Sequence, residues 1–241
     1  MKPEPRVTIR IIHDCNFRCR RCSTFSAPGR SGRMRLAQFQ RAINILACER
    51  FHGVVTISGG EPTLHSRLPD MIRYASTQLP QATVLVFTNG SWLGNPNWKR
   101  VLRRLLPGPN VVINYSFDRQ HVEGASRAAG EKMEAALFDR ARRFVRATPR
   151  TRFRIAFKGT QREAERFLRP LGNVPLYLIK FQKNPARRPK RLGVFAVEVN
   201  RRGLVEVFPT LGHIPRGKSL GGLETLACAL QLNREACRHA R

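Results

Sequence analysis

Residues 11–22 read IIHDCNFRCRRC and place Cys15, Cys19 and Cys22 at the spacing C-x3-C-x2-C, just past a β-like run. Three thiolates on one short loop can bind three irons of a [4Fe–4S] cube and leave the fourth iron without a protein ligand. A structural zinc site normally has four ligands, and no fourth Cys or His follows at a suitable local spacing. Free cysteines are usually scattered and buried, so three incidental cysteines are the less favoured interpretation. The pattern predicts a cluster whose open iron can bind and activate a small molecule.

A second motif lies at residues 56–62, which read TISGGEP. The apolar run before it predicts a strand, and two glycines directly after that strand, Gly59 and Gly60, let the backbone approach a ligand closely. Glu61 then offers a carboxylate at the C-terminal end of the strand, where open α/β folds bind their ligands. A carboxylate there suits an ammonium group. The alternative interpretation is a plain turn that ends at Pro62.

Together the two motifs resemble those of the radical S-adenosylmethionine (radical SAM) superfamily, and the resemblance extends over roughly residues 6–182. It implies a [4Fe–4S] cluster on the catalytic residues Cys15, Cys19 and Cys22. It also implies that the amine and carboxylate of S-adenosylmethionine (SAM) chelate the open iron. The methionyl amine of SAM would contact the cofactor-binding segment Gly59, Gly60, Glu61 and Pro62.

Apolar runs and helical periodicity alternate along the chain. Helices are predicted near residues 36–46, 68–79, 98–106, 132–147 and 161–171. The six predicted strands are Arg6–Ile12, Gly53–Ile57, Ala82–Phe87, Val111–Asp118, Arg152–Phe157 and Leu176–Phe181. This alternation predicts an α/β fold with a parallel sheet, which right-handed crossovers curl into a barrel or part of one. The resemblance implies the open, partial (β/α)6 barrel of radical SAM enzymes.

Polar residues follow these strands at the ends where such sheets carry their active groups. Asn89 with Gly90 is typical first of a turn and second of a substrate-side contact. Ser116 and Asp118 end strand four, where the resemblance implies contacts with the SAM ribose, and Asp118 is equally consistent with a helix or turn cap. The resemblance alone implies that the Phe181 backbone pairs with adenine.

Three other residues near these ends have open interpretations. His121 could donate a proton, although a lone His after a strand is more often an ordinary loop residue. Lys158 follows strand five at the same end of the sheet. Arg21 precedes the third cysteine, where the superfamily commonly has an aromatic residue or His, and a guanidinium can also stack on a π face.

The pattern changes after residue 183. We predict a radical SAM core domain at residues 1–183 and a C-terminal extension at residues 184–241, with a basic linker at residues 184–191. Two β-like runs, Phe195–Val199 and Leu204–Phe208, predict a β-hairpin.

A helix around Leu223–Leu232 is predicted after the hairpin, with Cys228 and Cys237 late in the chain. The extension resembles a degenerate form of the SPASM/twitch extension of peptide-modifying radical SAM enzymes. Two cysteines supply too few thiolates for the usual auxiliary cluster, which favours two structural thiols.

Composition narrows the class of protein. The 241 residues include 44 Lys+Arg against 16 Asp+Glu, a formal charge of +28. This charge can attract phosphates or acidic partners, but no zinc finger, helix-turn-helix or RNP-type motif accompanies it. A nucleic-acid partner is therefore possible but not favoured over a solvated basic surface. No apolar run is long enough to span a membrane, no signal-peptide core is present, and clustered cysteines suit a reducing compartment, so we expect a cytoplasmic protein.

The resemblance implies the reaction. A flavodoxin- or ferredoxin-like donor reduces the cluster, SAM is cleaved to methionine and a 5′-deoxyadenosyl radical, and that radical abstracts a hydrogen atom from the substrate. The hairpin extension favours a ribosomally made peptide as substrate. A small metabolite or nucleotide is the second choice, and RNA is the third. The non-enzyme alternative is a purely structural or electron-carrying cluster, but such a cluster has no use for an iron that lacks a protein ligand.

Overall fold

The structure is a computed structural model that describes residues 5–179, 195–199, 205–209 and 218–221 together with Leu226. Its first six strands are β1 Arg6–Ile12, β2 Val54–Gly59, β3 Thr83–Thr88, β4 Val111–Ser116, β5 Phe153–Lys158 and β6 Leu176–Ile179. Each pairs in parallel with the next in chain order, from β1 to β6. The predicted α/β fold is confirmed, with an open sheet that forms a partial barrel.

Helices connect these strands. They are α1 Leu36–Cys48, α2 Leu68–Gln78, α3 Trp98–Leu105, α4 Arg119–Ala129, α5 Glu134–Ala147 and α6 Gln161–Leu168. In α1 the buried residues Phe39, Ala42, Ile43 and Leu46 recur at helical spacing and form the stripe that packs on the sheet. Phe144 of α5 packs edge-on against Tyr115 of β4 and Phe153 of β5. Burying one such ring contributes roughly 1.5–3 kcal/mol.

Of these six helices, α4 is the one that the sequence analysis missed. Its apolar stripe is weak, because Val122, Gly124 and Ala125 are its only buried residues. The signals that define it lie at its ends. The Asp118 side chain accepts a hydrogen bond from the His121 backbone at the N-terminus, and Gly130 at the C-terminus adopts the left-handed conformation with φ 74°.

The predicted hairpin is confirmed, and it extends the main sheet. β7 (Phe195–Val199) pairs in parallel with β1, and β8 (Val205–Pro209) pairs antiparallel with β7. A further strand that the sequence did not indicate, β9 (Lys218–Gly221), pairs antiparallel with β8. Without β7, β1 would be an exposed edge of the six-stranded sheet, and covering such an edge prevents unwanted strand pairing.

Other predictions for the C-terminal region lie outside the described residues. These are the linker at residues 184–191, the boundary at residue 183, and Cys228 and Cys237. Of the helix predicted around Leu223–Leu232, Leu226 alone is described, and it is helical and fully buried. Among the described residues, no helix is both long and apolar enough to cross a membrane.

Candidate functional site

The cysteine loop, residues 13–35, connects β1 to α1 at the C-terminal edge of the sheet. Cys15, Cys19 and Cys22 are free and partly buried on it. Burial is the main cause that raises the pKa of Cys15 to about 12 and that of Cys19 to about 12, and negative charge on neighbouring groups, the other cysteines among them, contributes to both values. The three sulfurs are thus close enough to affect one another. A bound metal would offset the cost of their ionisation, because its charge stabilises thiolates.

Helix α4 and strand β5 hold the cysteine loop from one side. The Arg18 N–H donates to the Gly124 carbonyl oxygen at 3.0 Å, and Arg127 donates to the Arg18 carbonyl oxygen. A Cβ at Gly124 would lie 2.5 Å from Cys19 Sγ, so only glycine lets the helix approach this thiol. On β5, Lys158 Nζ donates to the Arg21 carbonyl oxygen at 2.9 Å. Gly124 belongs to the helix that was not predicted, so this contact was not predicted either.

The Gly59-Gly60 pair holds the loop from the other side. A Cβ at Gly59, whose φ is +136°, would lie 2.2 Å from the Ile12 carbonyl oxygen, and one at Gly60 would lie 2.0 Å from the Asp14 carbonyl oxygen. The Gly60 N–H donates to Ile12 O at 2.7 Å, and the next N–H donates to Asp14 O at 2.9 Å. The glycines were expected to admit a ligand. The close approach observed is to the first residues of the cysteine loop.

Glu61 is fully buried. Its carboxylate accepts hydrogen bonds from the Thr63 backbone at 3.0 Å and hydroxyl at 2.6 Å, from the Thr88 hydroxyl at 2.8 Å and from the Asn89 backbone at 2.6 Å. Burial raises the pKa of Glu61, against the lowering effect of these hydrogen bonds. The carboxylate ties the end of β2 to the end of β3. Its contact with the SAM ammonium stays a prediction, as does any contact of the buried Pro62, which begins a short 3-10 helix, Pro62–Leu64.

Asn89 links β3 to the cysteine loop. Its side-chain N–H donates to Asn16 Oδ1 at 2.9 Å and lies 3.8 Å from Cys15 Sγ, while its Oδ1 accepts from the Ser91 backbone at 2.9 Å. The predicted turn at Asn89-Gly90 is present, with Gly90 in the left-handed conformation. Sequence reasoning missed Asn16, because a polar residue between two cysteines carries no signal of its own.

Ser116 and Asp118 lie where β4 ends and α4 begins. Ser116 is the partly buried last residue of β4. Asp118 Oδ1 accepts from the His121 backbone at 3.0 Å and from His121 Nδ1 at 2.9 Å, and Oδ2 accepts from the Lys158 backbone at 3.3 Å. Burial alone would raise the pKa of Asp118, but the hydrogen bonds and charge of His121 outweigh it and lower the pKa. Asp118 is therefore a helix cap. The ribose contacts stay predictions, and Phe181 lies outside the described residues.

The cysteine loop fits a [4Fe–4S] cluster better than a single metal ion. In the part of the chain that the structure describes, no group of three or more His, Cys, Asp and Glu side chains is arranged for one ion. In a cube each thiolate binds a different iron, so its ligands stand further apart. The donors are all thiols, the ligand type that iron–sulfur clusters select.

Two curated relatives match part of the chain. The GTP 3′,8-cyclase of Chlorobaculum tepidum is 31% identical over 134 residues, which cover 56% of this chain and 40% of that protein. The S-adenosylmethionine-dependent nucleotide dehydratase of Selenomonas ruminantium is 29% identical over 91 residues, 38% of this chain and 32% of that protein. The matched part of the chain thus spans well under half the length of either relative.

Solved structures share the fold at low sequence identity. BtrN in complex with AdoMet and 2-DOIA is similar with a TM-score of 0.55 at 14% identity, over 100% of this chain and 86% of that one. The structure of anSMEcpe with bound AdoMet is similar with a TM-score of 0.66 at 14% identity, over 97% and 82%.

A family model described as the radical SAM superfamily matches residues 9–169, more than half of the 241-residue chain. The matched range contains the cysteine loop, the Gly59-Gly60 contact and α4. The chain belongs to the radical SAM superfamily.

Proposed function

We propose that this protein is a radical SAM enzyme that binds a [4Fe–4S] cluster through Cys15, Cys19 and Cys22 and acts on a nucleotide or a similar phosphorylated small molecule. The observation that carries the first part is the loop of three neighbouring thiols at the C-terminal edge of this superfamily's barrel. Cluster and SAM, when bound, supply reductive cleavage of SAM and removal of a hydrogen atom from the substrate.

The protein's own residues position these groups and keep water away. Backbone contacts from Gly60 and Gly124 fix the start of the cysteine loop against the end of β2 and against α4. The network around Glu61 fixes the loop that carries Asn89, which borders Cys15. Ser116 lies at the mouth of the barrel, where we assign it to the SAM ribose. Rigid placement of this kind is what a hydrogen-atom transfer requires, because a small displacement of the reacting atoms slows it strongly.

The substrate class is supported by the relatives and by charge. The names of both curated relatives state nucleotide chemistry. The cationic residues Arg10, Arg154 and Lys158 lie on β1 and β5, in or beside the barrel, and such cations suit phosphate groups. Peptide modification, the substrate class that the hairpin favoured, rests on fold likeness at 14% identity to proteins such as anSMEcpe, one structure of which holds a peptide. It is the second candidate.

The enzyme takes electrons from a flavodoxin- or ferredoxin-like protein, because SAM cleavage of this kind consumes an electron. A cytoplasmic location suits three thiols that must stay reduced until a cluster forms.

The test is anaerobic reconstitution of the full chain with iron and sulfide. We expect close to one [4Fe–4S] per chain and release of 5′-deoxyadenosine from SAM with dithionite as reductant. Cys15→Ala, Cys19→Ala and Cys22→Ala should each abolish that release, whereas Cys48→Ala, at an exposed cysteine outside the loop, should not change it. Full iron content and activity in the triple alanine variant would refute the proposal.

Nucleoside triphosphates, candidate peptides and RNA, added in parallel, then rank the substrate classes. We expect a nucleotide to increase 5′-deoxyadenosine release and to be consumed with it. Stimulation by a peptide or by RNA, with none by nucleotides, would reverse the ranking.

A further inference from the structure

The inner face of the partial barrel is the face of the sheet turned away from the helices. Side chains alternate between the two faces of a strand. Val54, Leu85 and Val112 pack together with Phe87 in a cluster separate from the main core, whereas their strand neighbours pack under the helices. This cluster therefore marks the inner face.

Asn114 is fully buried on the inner face. It lies two residues beyond Val112 and pairs in register with Phe87 on one side and Arg154 on the other. Neither Oδ1 nor Nδ2 has a hydrogen-bond partner among the described residues. A buried amide that lacks partners costs folding free energy, so it needs an explanation such as a bound ligand.

Thr56, two strands away, is a second buried polar residue whose side chain has no hydrogen-bond partner among the described residues. It lies two residues beyond Val54 on β2, is 4% exposed, and its hydroxyl has no hydrogen-bond partner within the described ranges. In register it lies between Thr8 and Leu85. The inner face thus buries an amide and a hydroxyl whose hydrogen-bonding capacity is unused.

Cationic side chains border these two groups. Arg154 neighbours Asn114 directly and is exposed, so its long side chain can swing aside to admit a ligand. Arg10 pairs in register with Ser58, two residues above Thr56. Lys158 ends β5 and reaches the cysteine loop at Arg21. Arg10 and Lys158 therefore lie on the loop side of the unpaired groups, and Arg154 lies level with Asn114.

Aromatic and cationic side chains also pack on the inner face. Arg6 of β1 donates to the Tyr177 hydroxyl of β6 at 2.5 Å and stacks on its ring with 5.6 Å to the centroid. The same ring packs edge-on against Phe87 at 6.1 Å. Ser116, at the cysteine-loop end of β4, stands roughly 7 Å from Asn114 along the strand.

We propose that Asn114 and Thr56 on the inner face select the substrate by hydrogen-bonding the nucleoside part of a nucleotide, and that Arg154, Arg10 and Lys158 bind its phosphates. The proposal rests on the proposed function and names the residues that select the substrate. An amide that is unpaired without ligand discriminates strongly, because a ligand that lacks the matching groups leaves it unpaired.

The experiment uses the reconstituted full chain with SAM and measures binding of GTP, CTP, ATP and guanosine by calorimetry. For the nucleotide that binds tightest, Asn114→Leu should weaken binding at least about tenfold. The same variant should raise the thermal midpoint of unfolding, because it replaces a buried unpaired amide by an apolar side chain of similar size. SAM affinity should not change. Asn97→Leu, at an exposed position directly before α3, is the matched control and should leave binding unchanged.

Two more variants separate the parts of the site. Thr56→Val should weaken binding without lowering the thermal midpoint. Arg154→Gln should reduce the preference for GTP over guanosine, since it removes a phosphate partner.

The outcomes of these experiments distinguish a substrate contact of Asn114 from a structural role. Wild-type affinity in Asn114→Leu, or a lower thermal midpoint with unchanged binding, would overturn the proposal, since the amide would then have a structural role. If no nucleotide binds while dithionite still drives SAM cleavage, this inference fails and the radical SAM activity stands. Loss of SAM cleavage in the wild-type chain would instead refute the proposed function itself.

Discussion

At the residue scale, the glycine after β2 matters because it lets two backbone segments of this barrel approach each other closely. Gly60 permits the N-terminal part of the cysteine loop to lie directly on the end of β2, with two backbone hydrogen bonds across the contact. The neighbouring carboxylate of Glu61 then fixes β3 to the same end. These residues form a rigid base for the cysteines, so their effect on a cluster is mechanical even where they touch no metal.

Gly60→Ala tests that base. The added Cβ would lie 2.0 Å from the Asp14 carbonyl oxygen and 2.7 Å from its carbon, so the cysteine loop must shift away from β2. We expect iron content after reconstitution to fall by more than half while the far-ultraviolet circular dichroism stays near that of the wild type. Gly130→Ala is the control: it introduces backbone strain at φ +74° with nothing within 4 Å, and should bind iron normally. Normal iron content in Gly60→Ala would show that the loop does not depend on this contact.

The residue scale also shows what sequence can predict. Cys15, Cys19 and Cys22 were identifiable because their spacing encodes a local loop that needs no knowledge of tertiary contacts. The contact that Gly124 makes with Cys19 joins residues far apart in the chain, and a glycine in a weakly amphipathic stretch has many explanations. The unpaired state of Asn114 was equally hidden, since it depends on which side chains reach the inner face.

Among the elements, α4 has the largest influence on the site. It is capped by Asp118, packs on the cysteine loop through Gly124, and donates from Arg127 to a loop carbonyl. The six parallel strands, the two hairpin strands and the other five helices were predictable because their apolar patterns are strong, whereas β9 (KSLG) has no such pattern. In α4 the buried stripe is short, since its function is to lie against a loop and not deep in the core. Its cap residues, Asp118 and Gly130, were the available signal.

Asp118→Asn tests the cap. The amide preserves the acceptor for His121 but turns a second donor toward the Lys158 N–H, so at neutral pH we expect a loss of about 1–3 kcal/mol in the free energy of unfolding. The pKa of Asp118 is lowered by its hydrogen bonds and the charge of His121 despite burial. A carboxyl whose pKa is depressed on folding stabilises the protein above its unfolded pKa, roughly 3.9, and loses that contribution as pH falls through the folded pKa.

The difference in the free energy of unfolding between the wild type and Asp118→Asn should accordingly be constant from about pH 7 down to about pH 5 and shrink below about pH 4. Urea titrations at several pH values measure it. Asp139→Asn, at an exposed carboxylate on α5 that pairs with Arg142, should differ little from the wild type throughout, because exposed ion pairs contribute about 0–1 kcal/mol. An Asp118→Asn deficit that grows at low pH would contradict the cap assignment.

At the scale of the whole molecule, the sheet has two different faces and the protein carries a large positive net charge. The helices cover one face, the other forms the inner surface of the partial barrel, and the hairpin covers the β1 edge. The net charge of +28 gives any acidic partner an attractive field, which the sequence indicated without locating. The structure adds a location, because Arg18, Arg20 and Arg21 are exposed on the cysteine loop.

The same loop presents Phe25, which is 73% exposed and has a φ of 52°. Among the described residues it is the one exposed large hydrophobic side chain. A bulky residue in the left-handed region is strained, and exposed aromatic rings and arginines are typical of the centre of a protein contact. Its place beside Cys22 brings such a contact next to the proposed cluster, where an electron donor must approach.

Replacing Arg20 by Glu together with Phe25 by Ser tests this surface as the docking site of an acidic flavodoxin-like donor. We expect SAM cleavage driven by reduced flavodoxin to fall roughly tenfold at low salt, because charge reversal slows steered association. Cleavage driven by dithionite should stay within about twofold of the wild type, since a small reductant needs no docking surface. Arg103→Glu on α3, which changes the net charge by the same amount on an exposed helix, should affect neither rate. Equal losses with both reductants would mean that the loop variant damages the site. Equal losses in the loop variant and in Arg103→Glu would assign the effect to net charge. The docking surface therefore requires that only the flavodoxin-driven rate falls, and only in the loop variant.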